Sequence, residues 1–290
     1  MENNIFDTAL IFEGGGMRAS YTCAVANALI DEELFFDNVY GVSAGSSNAV
    51  NYVCRDQWRT KQSFVGFAAA PHFGGMDTFL SHKGYFNAHY IYEESCRPGE
   101  LLPFRFTDFM SNPAKLTIEG FRRDTGETVY WTRDDMGSLG NLMRRVRASS
   151  TLPIVMPPPV IDGYCYYDGG LGESAGLLVD KALRDGFEKL LVVRTRPKEY
   201  RKQEVDNPMR LLFPTRPYLR QALNTRAQRY NDACDKLEAL ESEGKAYVFY
   251  AKDVTATSST TDVPTLEKNY ALGKAQVELE MPAIKEFLGI

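Results

Sequence analysis

Hydrophobic and polar positions in the first fifty residues follow two alternating patterns. Residues 9–12 are an unbroken apolar run that ends in glycines, which predicts a strand buried on both faces, as in a parallel sheet. Residues 17–29 carry apolar side chains at helical spacing. Residues 39–40 then indicate a second short strand, and residues 46–54 a second helix. This order predicts the βαβα start of an α/β fold.

The middle of the chain has a different pattern. Residues 58–110 are rich in Phe, Tyr, Gly and Pro and show little periodicity, so we expect an irregular insertion whose aromatic side chains are mostly core. Two later segments carry Asp-Thr-Gly at 124–126 and Asp-Gly at 162–163 between apolar runs, which predicts two hairpins. A helix is expected over residues 139–147.

The last third returns to longer elements. Ala175, Leu178, Val179 and Ala182 stand at helical spacing and predict a helix that ends at Gly186. The remaining elements expected from the pattern are a buried strand at 190–193, a long charged helix at 216–243, a strand at 247–250, a polar loop at 255–261 and a final helix at 266–288 that Pro282 would kink or divide. We expect one domain over 1–290, with a core at about 8–195 and a C-terminal extension at about 200–290.

Composition narrows the functional classes. The net charge of −5 provides no basic field for nucleic acid. Five widely spaced cysteines, with no C-x-x-C pair, favour reduced thiols and a cytoplasmic location over a disulfide framework. The polar, acidic start is unlike a secretory signal, and no run of about 18 uncharged apolar residues occurs.

Residues 41–45 read Gly-Val-Ser-Ala-Gly, between a predicted strand and a predicted helix. A serine on such a sharp turn exposes its hydroxyl above the sheet, and Gly41 and Gly45 leave room for the turn. The following helix begins beside Ser43, where its N–H groups favour negative charge. This context predicts a nucleophilic serine.

A serine nucleophile needs a base, and histidine is the usual one. His72, His82 and His89 all precede residue 90, so the order Ser, acid, late His of α/β-hydrolases is excluded. A buried carboxylate in contact with the hydroxyl is an alternative base. Asp168, between two tyrosines and two glycines, fits this role, although a helix cap or a turn explains the same pattern.

Residues 14–18, Gly-Gly-Gly-Met-Arg, follow the first strand, and successive glycine N–H groups suit an anion. Gly14, Gly16 and Ala19 also fit a dinucleotide-binding fingerprint. That alternative requires an acid at the end of the second strand, where the chain has 40–43, Tyr-Gly-Val-Ser. A hydrolase is therefore favoured.

Together, Glu-Gly-Gly-Gly-Met-Arg at 13–18, Gly-Val-Ser-Ala-Gly at 41–45 and Asp-Gly-Gly at 168–170 resemble the patatin-like phospholipases, over about residues 8–195. The resemblance implies a three-layer α/β/α fold with a mainly parallel sheet. It also implies a Ser43–Asp168 dyad and an oxyanion loop of Gly14, Gly15, Gly16, Met17 and Arg18.

The implied reaction is hydrolysis of a lipid or other acyl ester through an acyl-enzyme, with no cofactor and no metal. The aromatic insertion would then line an acyl-chain site or cover Ser43, and an exposed aromatic cluster there would suit contact with a membrane surface. A catalytically silent protein that binds lipid on the same fold is the other alternative.

Overall fold

The computed structural model describes residues 1–203 and 215–290, so part of the predicted C-terminal extension, residues 204–214, lies outside the described residues. The described strands are β1 (Thr8–Phe12), β2 (Asn38–Val42), β3 (Lys115–Arg122), β4 (Thr128–Trp131), β5 (Val160–Ile161), β6 (Tyr164–Asp168), β7 (Lys189–Arg194) and β8 (Ala246–Tyr250). The described α-helices are α1 (Ala19–Asp31), α2 (Ala44–Val53), α3 (Gln57–Phe64), α4 (Met76–Leu80), α5 (Phe106–Ser111), α6 (Leu139–Ser149), α7 (Val179–Arg184), α8 (Pro217–Ser242) and α9 (Val263–Leu288).

The predicted parallel sheet is confirmed. Strands β3, β2, β1, β7 and β8 pair in parallel in that order. Alternate side chains of β1 pack into different layers: Leu10 and Phe12 join the core beneath α1, α2, α6 and α9, whereas Ala9 and Ile11 join the core beneath α7 and α8. Burial of both sheet faces explains the unbroken apolar run, and the fold is the expected three-layer α/β/α.

The strand registers bring β2 and β6 to the same edge of β3. Glu119 of β3 pairs with Val42 of β2 and with a residue of β4, so β2 and β4 flank β3 on opposite sides. Gly120 pairs with β4 and with Asp168 of β6, which puts β6 on the side of β2. Since β6 runs antiparallel to β3, the last residue of β6 meets the end of β2. This register brings together two segments that are 125 residues apart.

Both predicted hairpins are confirmed. β3 pairs with β4, and β5 pairs with β6, each in antiparallel register. Asp162 and Gly163, at the second turn, have φ angles of 51° and 85°. Positive φ at both central positions matches the tight turn that an Asp-Gly pair favours.

One helix prediction in the last third was wrong in detail. Ala175 does not lie in a helix: its φ is 51°, Gly176 follows at 116°, and α7 begins only at Val179. These two left-handed residues make a turn that apolar spacing alone does not reveal. Pro282 does not divide the last helix, which runs from Val263 to Leu288 and buries Met281 and Ile284 on either side of the proline.

The insertion consists of short helices and turns, as its weak periodicity predicted. Many of its aromatic side chains are core: Phe67, Phe73, Phe86 and Tyr90 pack with Met17 after β1. Ala256 and Leu266, from the C-terminal part, join the same cluster. In the ranges 1–203 and 215–290, no helix combines the length and apolar character needed to cross a bilayer.

Candidate active site

Ser43 and Asp168 are in direct contact. The Ser43 hydroxyl donates a hydrogen bond of 2.7 Å to Oδ2 of Asp168. Ser43 lies between β2 and α2 with φ 55° and ψ −130°, a conformation that non-glycine residues rarely adopt. Its backbone N–H donates to the Ser149 hydroxyl at 2.9 Å. The strained turn and this bond fix the direction of the hydroxyl.

The glycines on either side of Ser43 are required by close backbone approach. A Cβ at Gly41 would lie 2.5 Å from the Gly45 carbonyl oxygen, and one at Gly45 would collide with the Phe12 carbonyl oxygen. The turn therefore packs α2 directly against the end of β1. This explains why the sequence places glycine at both positions.

Asp168 is held rigidly and is almost fully buried, with 3% of its surface exposed. Its Oδ1 accepts from the Gly170 N–H at 2.7 Å, and its own N–H donates to the Thr151 carbonyl at 2.8 Å. Burial raises the pKa of the carboxyl group, while Arg226, the Ser43 hydroxyl and the Gly170 N–H act in the opposite direction. A raised pKa makes the carboxylate a better base for the serine proton.

The glycine loop lies against the serine. A Cβ at Gly14 would lie 3.0 Å from Cβ of Ser43, so only glycine allows this approach without displacement. The N–H groups of Gly14 and Met17 donate to the carbonyls of Gly176 (3.3 Å) and Ser258 (3.1 Å). Among the described residues, the N–H groups of Gly15 and Gly16 have no backbone acceptor. These two N–H groups are therefore free to meet a ligand.

Arg18, the last residue of the loop, is half-buried and lines the same cavity as Ser43. Burial lowers the pKa of its guanidinium, and the neighbouring charge of Arg196 lowers it further. Within the described residues its buried Nε has no hydrogen-bond partner. Glu13, just before the loop, accepts from Tyr230 and Thr195.

Ser43 and Asp168 line a cavity of about 420 Å³. Part of its lining is apolar and consists of Val50, Phe64, Phe67, Phe73, Phe86, Ile91, Leu102, Met143, Val146, Leu152 and Met156. The lining also includes the basic groups Arg18, Arg196, Lys202 and Arg226. The first set comes mainly from the insertion and α6, as expected for an acyl-chain site.

Sequence reasoning missed several polar residues of the site. Ser149 holds the backbone of Ser43, Thr195 packs on Gly15, and Ser258 holds Met17. Thr195 follows the end of β7, where ligand-binding residues of parallel sheets collect, and this signal was available. Ser149 is the last residue of α6 and Ser258 lies in a loop, and only the fold brings them to the site.

A family model for patatin-like phospholipase matches residues 10–180, which include the glycine loop, Ser43 and Asp168. The chain belongs to the patatin-like phospholipase family. A second model, "Domain of unknown function (DUF6363)", matches residues 216–289 of this patatin-like phospholipase. Membership makes it a lipid hydrolase by family and disfavours the dinucleotide-binding alternative.

A solved structure has the same fold. The crystal structure of VipD from Legionella pneumophila matches with a TM-score of 0.50 and 13% identity, over 98% of this chain and 67% of that chain. At this identity the match supports the architecture of the patatin-like chain and nothing finer. No curated protein matches the chain.

Proposed function

We propose that the protein is a lipid acyl hydrolase of the phospholipase A or esterase type, in which Ser43 is the nucleophile and Asp168 the base. The observation that carries this proposal is the 2.7 Å hydrogen bond between the Ser43 hydroxyl and Asp168 Oδ2. Family membership supplies the reaction class, lipid acyl hydrolysis. We further propose that residues 1–290 act as one catalytic domain.

The proposed reaction has two halves. As Ser43 Oγ attacks the ester carbonyl, its proton passes to Asp168, and the N–H groups of Gly15 and Gly16 stabilise the oxyanion. Asp168 then returns the proton to the departing alcohol, which leaves an acyl group on Ser43. Water attacks this acyl-enzyme while Asp168 takes its proton, and the proton returns to Ser43 Oγ as the carboxylic acid leaves.

Membrane contact is a second part of the proposal. α4 exposes Met76, Phe79 and Leu80, and residues 152–154 expose Leu152 and Ile154. The two segments are close, because Tyr85 bonds to residues next to both: its carbonyl accepts from the Gly75 N–H at 2.8 Å and its N–H donates to the Val155 carbonyl at 2.8 Å. Since Leu152 also lines the cavity, the exposed apolar surface is continuous with the proposed acyl-chain site. A lipid surface would cover this exposed apolar surface. The five free thiols favour the cytoplasmic side of a membrane as the place of contact.

Vesicle flotation tests this contact. Leu80, which is 71% exposed, would lose its apolar contact with lipid in Leu80→Ser. We expect about tenfold weaker binding to phospholipid vesicles. Leu279→Ser on α9 is the matched control, because Leu279 is 84% exposed and does not line the cavity. Equal binding of both variants and wild type would refute the contact.

The dyad is tested by Ser43→Ala and Asp168→Asn. Hydrolysis of a p-nitrophenyl acyl ester should fall at least about a thousandfold in each variant, while circular dichroism and melting stay cooperative. Asp162→Asn is the control, since the Asp162 side chain is 85% exposed at a hairpin turn. Retained activity in Asp168→Asn would exclude the dyad.

A fluorophosphonate probe separates the enzyme from the catalytically silent alternative. The probe reacts with an activated serine, so folded wild-type protein should be labelled at Ser43 and Ser43→Ala should not be. If folded wild-type protein is not labelled, the chain is a lipid-binding member of the fold.

A further inference from the structure

Three basic residues of the cavity lie beyond the patatin-like match, which ends at residue 180. Arg196 and Lys202 follow β7, and Arg226 is on α8, inside the DUF6363 match. All three line the same cavity as Ser43 and Asp168. The C-terminal part of the chain therefore supplies charge to the catalytic cavity.

Arg226 is fixed beside the base. Its Nε donates to the Gly170 carbonyl at 2.7 Å. A Cβ built at Gly170 would lie 3.0 Å from both Arg226 Nη2 and Asp168 Oδ1, so these two groups approach the same point. α8 is tied down further by Arg229, which donates to the Leu171 carbonyl at 3.2 Å.

Lys202 is anchored to the same helix. Its backbone N–H donates to Asn231 Oδ1 at 2.8 Å, and its carbonyl accepts from Asn231 Nδ2 at 2.9 Å. Its ammonium group lies 3.3 Å from the centre of the Tyr230 ring. Burial lowers the Lys202 pKa, and the Arg226 charge lowers it further. The positive charge of Arg226 therefore opposes the protonated form of Lys202.

Arg196 completes the basic part of the lining. Its guanidinium lies 4.1 Å from the centre of the Tyr200 ring, and both side chains line the cavity. Its charge also acts on Arg18 of the glycine loop. Arg226 thus lies near Asp168, and Arg196 lies near the glycine loop.

Acidic groups offset only part of this charge: the Asp168 carboxyl group attracts Arg226 and Lys202, and the Glu13 carboxyl group attracts Lys202. Among the described residues, Glu13 and Asp168 are the acidic side chains that line the cavity, and both accept hydrogen bonds from protein groups. Arg59, a further cavity base, is held at 3.3 Å by the carbonyl of Leu102, a residue of the apolar part of the lining. Arg196, Lys202 and Arg226 therefore present a surplus of positive charge to whatever enters.

We propose that Arg196, Lys202 and Arg226 form an anion subsite that binds a phosphate or carboxylate on the alcohol side of the ester. The acyl chain then packs against the apolar part of the lining, with the ester carbonyl at Ser43. A bound anion would relieve the repulsion among the bases and make charge-assisted hydrogen bonds. That the ligand is an ester rests on the proposed function. That it carries a negative charge rests on the basic residues that line the cavity.

Uncleavable ligands test the subsite without requiring activity. We would measure calorimetric binding of a 1-alkyl-glycerol ether, its 3-phosphate and a matched alkyl ether that ends in a carboxylate, each below its micelle concentration. Wild-type protein should bind a charged ligand at least about tenfold more tightly than the neutral one. If the ether that carries the phosphate binds more tightly than the one that carries the carboxylate, the subsite is a phosphate site. If the carboxylate ether binds more tightly, it is a carboxylate site.

Arg196→Gln and Lys202→Gln are the informative variants, because neither Ser43 nor Asp168 hydrogen-bonds to them. In each variant, the ratio of the affinities for the charged and the neutral ether should fall about tenfold. The affinity for the neutral ether itself should change less than about twofold. Arg201→Gln is the control: it removes the same charge next to Lys202, but Arg201 pairs with Asp235 (2.9 Å) and does not line the cavity.

Any one of three results would overturn the subsite. Wild-type protein could bind the charged and neutral ethers equally, or Arg196→Gln and Lys202→Gln could lose as much affinity for the neutral ether as for the charged one. The control Arg201→Gln could also lose as much affinity for the charged ether as those two variants. Failure of the proposed function is a different result, in which wild-type protein cleaves no acyl ester while the ether preference stands. Binding and turnover therefore report separately on the subsite and the dyad.

Discussion

The N-terminal core and the C-terminal part contribute different features to one cavity: the core contributes strain and buried acid, and the C-terminal part contributes positive charge. The core supplies two unfavourable features, a strained serine at φ 55° and a buried carboxyl group, Asp168, with a raised pKa; a second buried acid, Glu119, lies near Asp168 but does not line the cavity. The C-terminal part supplies cations and a carbonyl that holds the glycine loop, from Arg226 and Ser258. The strained serine and the buried acids thus lie in the core, and the C-terminal part adds positive charge beside them.

Glu119 is the largest test of the idea that the core holds acids whose ionised form is unfavourable. Its side chain is fully buried, Oε1 accepts from the Ser174 N–H at 3.3 Å, and Oε2 has no partner among the described residues. Burial raises the pKa of Glu119 to about 8. The carboxyl group is therefore protonated in the folded protein near neutral pH.

Glu119→Gln should become more stable than wild type as pH rises. The folded pKa exceeds the unfolded value of 4.5, so wild type loses stability from about pH 4.5 up to about pH 8. The slope is about 1.4 kcal/mol per pH unit within that window. Urea unfolding at several pH values should show this slope in wild type and in Glu127→Gln, an exposed control, and a smaller slope in Glu119→Gln. Equal slopes of the free energy of unfolding against pH in wild type and Glu119→Gln would contradict this prediction.

The next prediction concerns the joint between the two regions, at Gly16. This residue has φ 56°, and a Cβ there would collide with the Ser258 carbonyl oxygen. Gly16→Ala should shift the loop and move its N–H donors, so kcat for a p-nitrophenyl ester should fall about a hundredfold. Gly137→Ala, with φ −65° and open space around its Cβ, should leave kcat unchanged. A normal kcat in Gly16→Ala would separate the loop from oxyanion binding.

The same division explains what the sequence could predict. Residues 9–12 and 190–193 identify the buried strands because their burial depends on local apolar runs. The motifs around Ser43 and Asp168 identify the pair, but their contact depends on the register of β2 and β6 along β3. Arg226 stands on a helix whose charged pattern is that of a solvated surface, so nothing local marks it as a cavity residue.

The smallest expected effect tests how the two regions are joined. Lys61 Nζ and Glu267 Oε2 form an exposed ion pair of 2.8 Å between α3 and α9, and such pairs contribute little because water screens them. Asn269, also on α9, is fully buried and donates to the Ser20 hydroxyl at 2.7 Å while accepting from the Thr255 N–H at 2.9 Å. Its loss leaves buried polar groups without partners.

Glu267→Gln should therefore lower the free energy of unfolding by less than about 1 kcal/mol, and Asn269→Ala by about 1–3 kcal/mol. Urea unfolding of both variants measures the difference. Because the Ser20 hydroxyl donates to the carbonyl of Met17 in the glycine loop at 2.8 Å, Asn269→Ala should also lower kcat, whereas Glu267→Gln should not. An equal loss of stability in the two variants would mean that surface charge, rather than the buried contact, holds the C-terminal part against the core.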